Sequence, residues 1–305
     1  MCGSKNFFSW MMYELVNAYV NEIRRCPGRI NIKDSKKQAV ENFKQKFVRR
    51  VITPEQQIIV KPEQLEKALK SFIKGRKARI IKAEVVSVFP GAYISIGNLV
   101  VPWLENGLQF DVFSNSPELP ASEVKGALLR GLLFAYCSEL RPVVCQLSRD
   151  TAPQRLASRL LEELKGCKKI YRVRVLTCFA GCENRAFKLE VLCPHAPPFN
   201  QPLEISVLEQ LKQQPTPIFL LSVAPGCRFM VYIVLEELKA ETMPAWPLEL
   251  CLMYLEKCGK NPLNVDFWQP VLGWTFEKLG LGAKTAYGYG KFRLEKVEVV
   301  ECASS

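Results

Sequence analysis

The sequence predicts an α+β fold, a sheet packed with helices. Three observations predict it. Strand-like and helix-like patterns are interspersed along the chain. The composition is globular, with 48% apolar and 24% charged residues in a chain of 305, long enough to bury a large core. The character of the chain also changes near residue 79, from helical and basic to β-branched. Residues 1–78 therefore read as a helical, basic N-terminal extension and residues 79–305 as the main domain. No repeat of solenoid period is present.

Taken in order, residues 6–25 carry Phe8, Met12, Leu15, Tyr19 and Ile23 at helical spacing. Residues 35–51 repeat the pattern with Val40, Phe43, Phe47 and Val51, and Ser35 can cap the start. A third helix is predicted from Pro62 to Lys74, because proline suits a first helical position and Gly75 suits the stop. Residues 79–89, RIIKAEVVSVF, are β-branched and read as a strand. After a loop-rich stretch, residues 119–140 form a helix that Pro120 and Ser122 begin and Pro142 ends. Val124, Leu128 and Leu132 line one face of it. A further helix is read over 153–165. Strands follow over 170–176, 186–192, 218–223 and 228–237, the last two around a Pro225-Gly226 turn. A helix near 248–258 precedes an amphipathic helix over 267–279 and an alternating strand over 291–300.

The last helix and strand flank the stretch that carries the most chemistry, LGLGAKTAYGYGKF, residues 279–292. Gly280, Gly282, Gly288 and Gly290 let the backbone take positive φ and approach a ligand closely. Successive N–H groups of such a loop can point at one anion. Lys284 adds charge, Thr285 a hydroxyl, and Tyr287 and Tyr289 offer faces on which a base can stack. Two glycine motifs are excluded. A P-loop needs glycine directly before its lysine, and Ala283 stands there. The dinucleotide fingerprint needs a third glycine where Thr285 sits, and it follows a strand and opens a helix, the reverse of this context. No nucleotide cofactor is expected.

Charge is unevenly spread. Residues 1–82 hold 19 Lys and Arg against 7 Asp and Glu, and the remainder holds 23 of each. This asymmetry points to a polyanionic partner for the N-terminal part, nucleic acid first, with a solvated face as the alternative. A further cationic path is predicted on the 119–140 helix. Lys125 falls in its first turn, where the dipole and exposed N–H groups favour phosphate, and Arg130 follows.

Two stretches together resemble a known family. LPASEVKGALLRGLL, residues 119–133, resembles the proline-to-lysine-glycine helix start of the RAMP superfamily of CRISPR repeat-associated proteins. GLGAKTAYGYGKF resembles that superfamily's C-terminal glycine-rich loop, and its GAKT…GYG form is most similar to the sixth-subunit type of the type III-B Cmr effector complexes. Cys193-Pro194-His195 followed by PTPIFLLSVAPGCRF, and ISIGNLVVPWLENGLQFDVF upstream, fit the same order. The resemblance spans roughly residues 79–297. It departs within Ala121-Ser122-Glu123, where the family usually has Gly-Ser-Ser after the proline.

The resemblance implies an RRM-like (ferredoxin-like) fold with insertions. It also implies a non-catalytic RNA-binding subunit near the 3′ end of a guide RNA, whose partners are guide RNA, target RNA and other RAMP subunits of a Cmr complex. Lys125, Arg130, Gly282, Lys284, Thr285, Tyr287, Gly288, Tyr289 and Gly290 are the RNA-contact candidates.

The alternative is a RAMP-type endoribonuclease that processes guide precursors. Its general base would be His195, the one histidine of the chain, set in a proline-rich loop that also suits a structural role. Asp34, Asp111, Asp150 and Asp266 form no carboxylate cluster in the sequence. Cys178, Cys182, Cys193 and His195 are ligand types that suit zinc, although the Cys-x-His spacing is uncommon, and no metal is expected. The chain shows neither a secretory leader nor a transmembrane run, so it reads as cytoplasmic, with its 12 cysteines mostly buried thiols.

Overall fold

The computed structural model describes residues 61–94, 109–111, 116–141, 164, 170–183, 186–192, 218–238 and 247–300. The expected helices over 6–25, 35–51 and 153–165, together with Cys193 and His195, lie outside these residues, apart from Leu164, which is buried.

Helix α1 spans Pro62–Ile73. Pro62 takes the first turn without wasting an N–H, and the Lys61 N–H donates to Gln64 Oε1 at 3.0 Å. Strand β1 follows at Ala78–Ser87. The two-residue strands β2 (Phe110–Asp111) and β3 (Ser116–Pro117) pair with each other. Helix α2 covers Ala121–Ala135. Four strands come next: β4 (Ile170–Cys182), β5 (Phe187–Leu192), β6 (Ile218–Val223) and β7 (Cys227–Leu238). Helices α3 (Pro247–Lys257) and α4 (Val265–Leu272) precede the last strand, β8 (Phe292–Val300).

The main sheet has the order β4-β7-β1-β8 and is antiparallel throughout. Along the chain its elements run strand, helix, strand, strand, helices, strand. The β5–β6 hairpin is inserted and pairs apart. The residues around Pro225-Gly226 thus do not form a simple hairpin turn. They carry the chain from one sheet to another, and Gly226 N–H donates to the Ser87 carbonyl.

Period-two alternation sends the two faces of each central strand into different cores. Ile81, Ala83 and Val85 of β1, with Phe229, Val231, Ile233 and Leu235 of β7, join the large core under α2, α3 and α4. Ile80, Tyr232 and Val234 face the other way and meet Leu69 and Ile73 of α1. Because both faces are covered, β7 reads as a nearly continuous apolar run. Helix α1, assigned from sequence to the extension, therefore shares a core with the sheet, and the boundary at residue 78 divides two elements that pack together.

The predicted single helix over 267–279 is two structures. The α-helix ends at Leu272 and a π-helix runs over Gly273–Leu279. The Thr275 hydroxyl donates to Val271 O at 2.7 Å, the carbonyl that its own N–H would take in an α-helix. The segment closes by Gly280 N–H donating five residues back to Thr275 O at 2.9 Å. Thr275 also packs on α2 at Gly131, where a Cβ would lie 2.1 Å from the Thr275 hydroxyl oxygen. The glycine that α2 needs for packing is thus Gly131, whereas Gly126 faces open space.

Candidate nucleic-acid interface

The glycine-rich loop lies where β1 ends and β8 begins. Leu281 N–H donates to Gly290 O at 2.7 Å, which closes the loop at its base. Gly290 N–H donates to Gly91 O, and Ala283 N–H to Tyr93 O, each at 2.9 Å. These bonds zip the loop to the segment that leaves β1. The approach demands glycine at two points. A Cβ on Gly282 would lie 2.0 Å from Tyr93 O, and one on Gly290 would lie 1.7 Å from Leu281 O.

The expected phosphate cradle is therefore revised. Gly282 N–H donates to Glu123 Oε1, and Gly288 N–H donates to Thr285 O. These N–H groups serve the fold and do not point at a ligand. The carboxylate of Glu123 caps the loop instead. Burial pushes the Glu123 carboxyl above its ordinary value, against the opposing Gly282 bond and the nearby Arg130 charge.

Lys125 is corrected for the same reason. Its Nζ lies 2.8 Å from Glu249 Oε1 and 3.1 Å from Val173 O, and Glu249 is buried. The ammonium ties α2 to α3 and β4 and does not extend a path outward. Arg130 is exposed on α2.

Tyr289 also turns inward. Its hydroxyl and that of Tyr93 both donate to Glu190 Oε2 at 2.5 Å, and the two rings lie 4.5 Å apart. Lys188 Nζ completes the group 2.8 Å from Glu190 Oε1. Burial alone would raise the Glu190 carboxyl, but the bonds from Lys188, Tyr289 and Tyr93 hold it below its ordinary value. Burial and this carboxylate push the Tyr93 hydroxyl well up.

What faces outward is smaller and clearer. Lys284 is exposed with φ +59, and among the described residues it is the one non-glycine with positive φ. Its Nζ lies 5.4 Å from the centre of the Tyr93 ring. Thr285 opens the short 3-10 turn Thr285–Tyr287, and Tyr287 is 81% exposed. On the neighbouring segment Phe89 is 80% exposed, with Lys188 Nζ 5.5 Å from its ring centre. A Cβ on Gly288 would lie 3.7 Å from Pro90 Cδ, so the two aromatics stand on adjoining turns. The rim thus consists of two exposed rings and two lysines. Phe89, Lys188, Tyr93 and Glu190 were not singled out from the sequence. The Phe-Pro-Gly run after a predicted strand was the available signal, since an apolar ring beside a turn has little to pack against.

Of the four candidate zinc ligands, Cys178 and Cys182 lie among the described residues. Cys182 is bonded to Cys227, directly opposite it in the β4–β7 register. Among the described residues no group of three or more His, Cys, Asp or Glu is arranged to hold a metal. Among the described residues Cys178 and Cys251 are buried free thiols, whereas Cys137 and Cys258 are exposed. No helix among the described residues is long and apolar enough to cross a membrane.

An antiparallel sheet backed by helices, with a glycine loop closed onto the end of its first strand, defines a class of domain. Residues 88–293 match the RAMP superfamily, and the chain belongs to that family. A curated relative, the CRISPR system CMR subunit Cmr6 of Saccharolobus solfataricus, is 24% identical over 237 residues. The match covers 76% of this chain and 64% of the relative, so the chain spans slightly less than two thirds of that protein's length. A chain of the cryo-EM structure of type III-B Cmr-beta bound to cognate target RNA superimposes with a TM-score of 0.60 at 17% identity. That likeness covers 98% of this chain and 94% of that one and shows the fold alone.

Proposed function

We propose that this chain is a non-catalytic, RNA-binding structural subunit of a type III-B CRISPR effector complex. It holds guide RNA and target RNA near the guide 3′ end, beside other RAMP subunits, in cytoplasmic antiviral defence. Membership of the RAMP superfamily and the relation to a Cmr6 subunit support the assembly part of this reading. The split strand-helix-strand order of the sheet supports an RRM-like (ferredoxin-like) description of the fold. The RNA part rests on the loop rim. The basic N-terminal segment, residues 1–78, adds sequence-independent affinity, and the chain itself cleaves no RNA.

One observation carries the RNA reading. Lys284 holds a backbone conformation that suits glycine and costs other residues about 1 kcal/mol. A lysine kept there against its backbone preference is explained by what its ammonium does outside the loop. The contact is to phosphate, with Tyr287 and Phe89 supplying faces for bases.

Lys284→Gly tests this with opposite signs. It relieves the backbone and removes the charge. Thermal stability should hold or rise, while affinity for single-stranded RNA should fall about fivefold or more across sequences. A variant that melts like the parent and binds RNA equally well would reduce the loop to a structural turn. Incubation with guide precursor should leave the RNA intact, and cleavage that depends on His195 would replace this reading with the processing enzyme.

A further inference from the structure

Strand β4 brings two arginines to the sheet face that α1 covers. Arg172 and Arg174 are two residues apart and so share that face, and Arg172 stands opposite Glu236 of β7. Arg76, in the turn between α1 and β1, reaches the same carboxylate. The distances to Glu236 oxygens are 3.0 Å from Arg76, 3.5 Å from Arg174 and 3.9 Å from Arg172. Glu236 is 12% exposed, whereas each arginine side chain is 42–47% exposed. Among the described residues no second acidic side chain pairs with any of the three. Three guanidiniums thus surround one carboxylate, which leaves two positive charges uncompensated and open to solvent.

Phe72, at the end of α1, organises the group. The Arg76 guanidinium lies 4.3 Å from the centre of its ring and that of Arg174 lies 5.3 Å away. Stacking on a ring restrains a guanidinium, so less freedom is lost when it binds an anion. The ring itself is 39% exposed.

We propose that Arg76, Arg172 and Arg174, held by Glu236 and Phe72, form a second phosphodiester-binding site for single-stranded RNA. The guanidinium fork matches phosphate oxygens two at a time, and two surplus charges fit adjacent backbone phosphates. The site is separate from the glycine loop. It sits where β1 starts and the loop sits where β1 ends, roughly 30 Å apart at the rise of a strand. A strand of RNA held at both places gains from the second contact as an intramolecular one.

The test uses the full chain and a fluorescent single-stranded oligouridylate of about 20 nucleotides, with affinity measured against salt. The double variant Arg172→Gln/Arg174→Gln leaves the Arg76–Glu236 pair in place. It should bind about tenfold more weakly at low salt, with a salt slope shallower by roughly 1.4, as for two lost phosphate contacts on a single strand. Glu236→Gln removes the one compensating charge and should tighten binding severalfold, which a merely structural ion pair would not do. Lys284→Gly, measured in parallel, reports the loop separately, and its effect should combine additively with that of the arginine pair. Unchanged affinity and slope in the arginine variant would overturn the proposal, as would a wild-type chain that does not bind the oligonucleotide. Loss of assembly with other subunits at unchanged RNA affinity would also overturn it, by assigning the cluster to carboxylates of a protein partner.

Discussion

The two ends of strand β1 handle polarity in opposite ways. At the loop end the backbone does the work. Leu281, Gly282, Ala283, Gly288 and Gly290 all commit their N–H groups to the protein, and Tyr93 and Tyr289 commit their hydroxyls to Glu190. Among the described residues of this end, the Lys284, Tyr287 and Phe89 side chains, with Lys188 beside Phe89, remain for a ligand. At the arginine end the backbone is ordinary sheet, and the side chains alone create a surplus of charge. A glycine-rich loop can therefore be a precise scaffold for a few outward groups, whereas three arginines on regular structure need no special backbone.

That contrast predicts a brittle end and a tolerant end. Gly290→Val should be the most damaging change, because its Cβ would overlap Leu281 O. A loss of about 4 kcal/mol or more is expected in denaturant unfolding, while Arg172→Gln at the other end should stay within about 0.5 kcal/mol of the parent. Equal effects would erase the distinction.

Lys125→Met comes next. It strands the buried Glu249 carboxylate and should cost about 3 kcal/mol of stability. The affinity of the folded fraction for RNA should not change, since the ammonium faces inward. A specific loss of RNA affinity at full stability would return Lys125 to the contact surface.

Smaller effects are expected on the rim. Tyr287→Ala and Phe89→Ala should each weaken single-stranded RNA binding by about 1–2 kcal/mol, with unchanged melting. Loss of stability without loss of affinity would mean that the rings pack against protein.

The smallest effect is a pair of opposite pH slopes. Glu123 has a raised carboxyl, so its contribution is full below the unfolded value of about 4.5 and is lost as pH rises through the folded value. Glu190 has a lowered one, so its contribution is present above that value and is lost as pH falls through the folded value. Urea midpoints across roughly pH 3 to 7 should show Glu123→Gln flattening the first slope and Glu190→Gln the second.

Much of this was legible in the sequence. The strand over 218–223 has the predicted bounds, and Pro62 and Gly75 mark the ends of α1 as their backbone preferences require. The loop between a helical segment and β8 was readable from its glycines. Long-range pairing was not. Glu249 is 124 residues from Lys125, and Glu236 is 62 from Arg174, so no local spacing announces either partner. The π-helix was hidden as well, because Thr275 disturbs the ladder through a hydroxyl bond that apolar periodicity does not register. The places where the chain is built to turn are legible in its glycines and prolines, but several groups whose chemistry suits a ligand, Gly282 N–H and Lys125 among them, are used by the fold itself.

The most direct measurement is ultraviolet cross-linking of the full chain to single-stranded RNA, with cross-linked peptides identified by mass spectrometry. Exposed rings that stack on bases should cross-link. The account predicts adducts on Tyr287 and Phe89, with none on the inward Tyr289 or on Tyr93. Adducts confined to other segments, with the Phe89 and Tyr287 peptides unmodified, would contradict it.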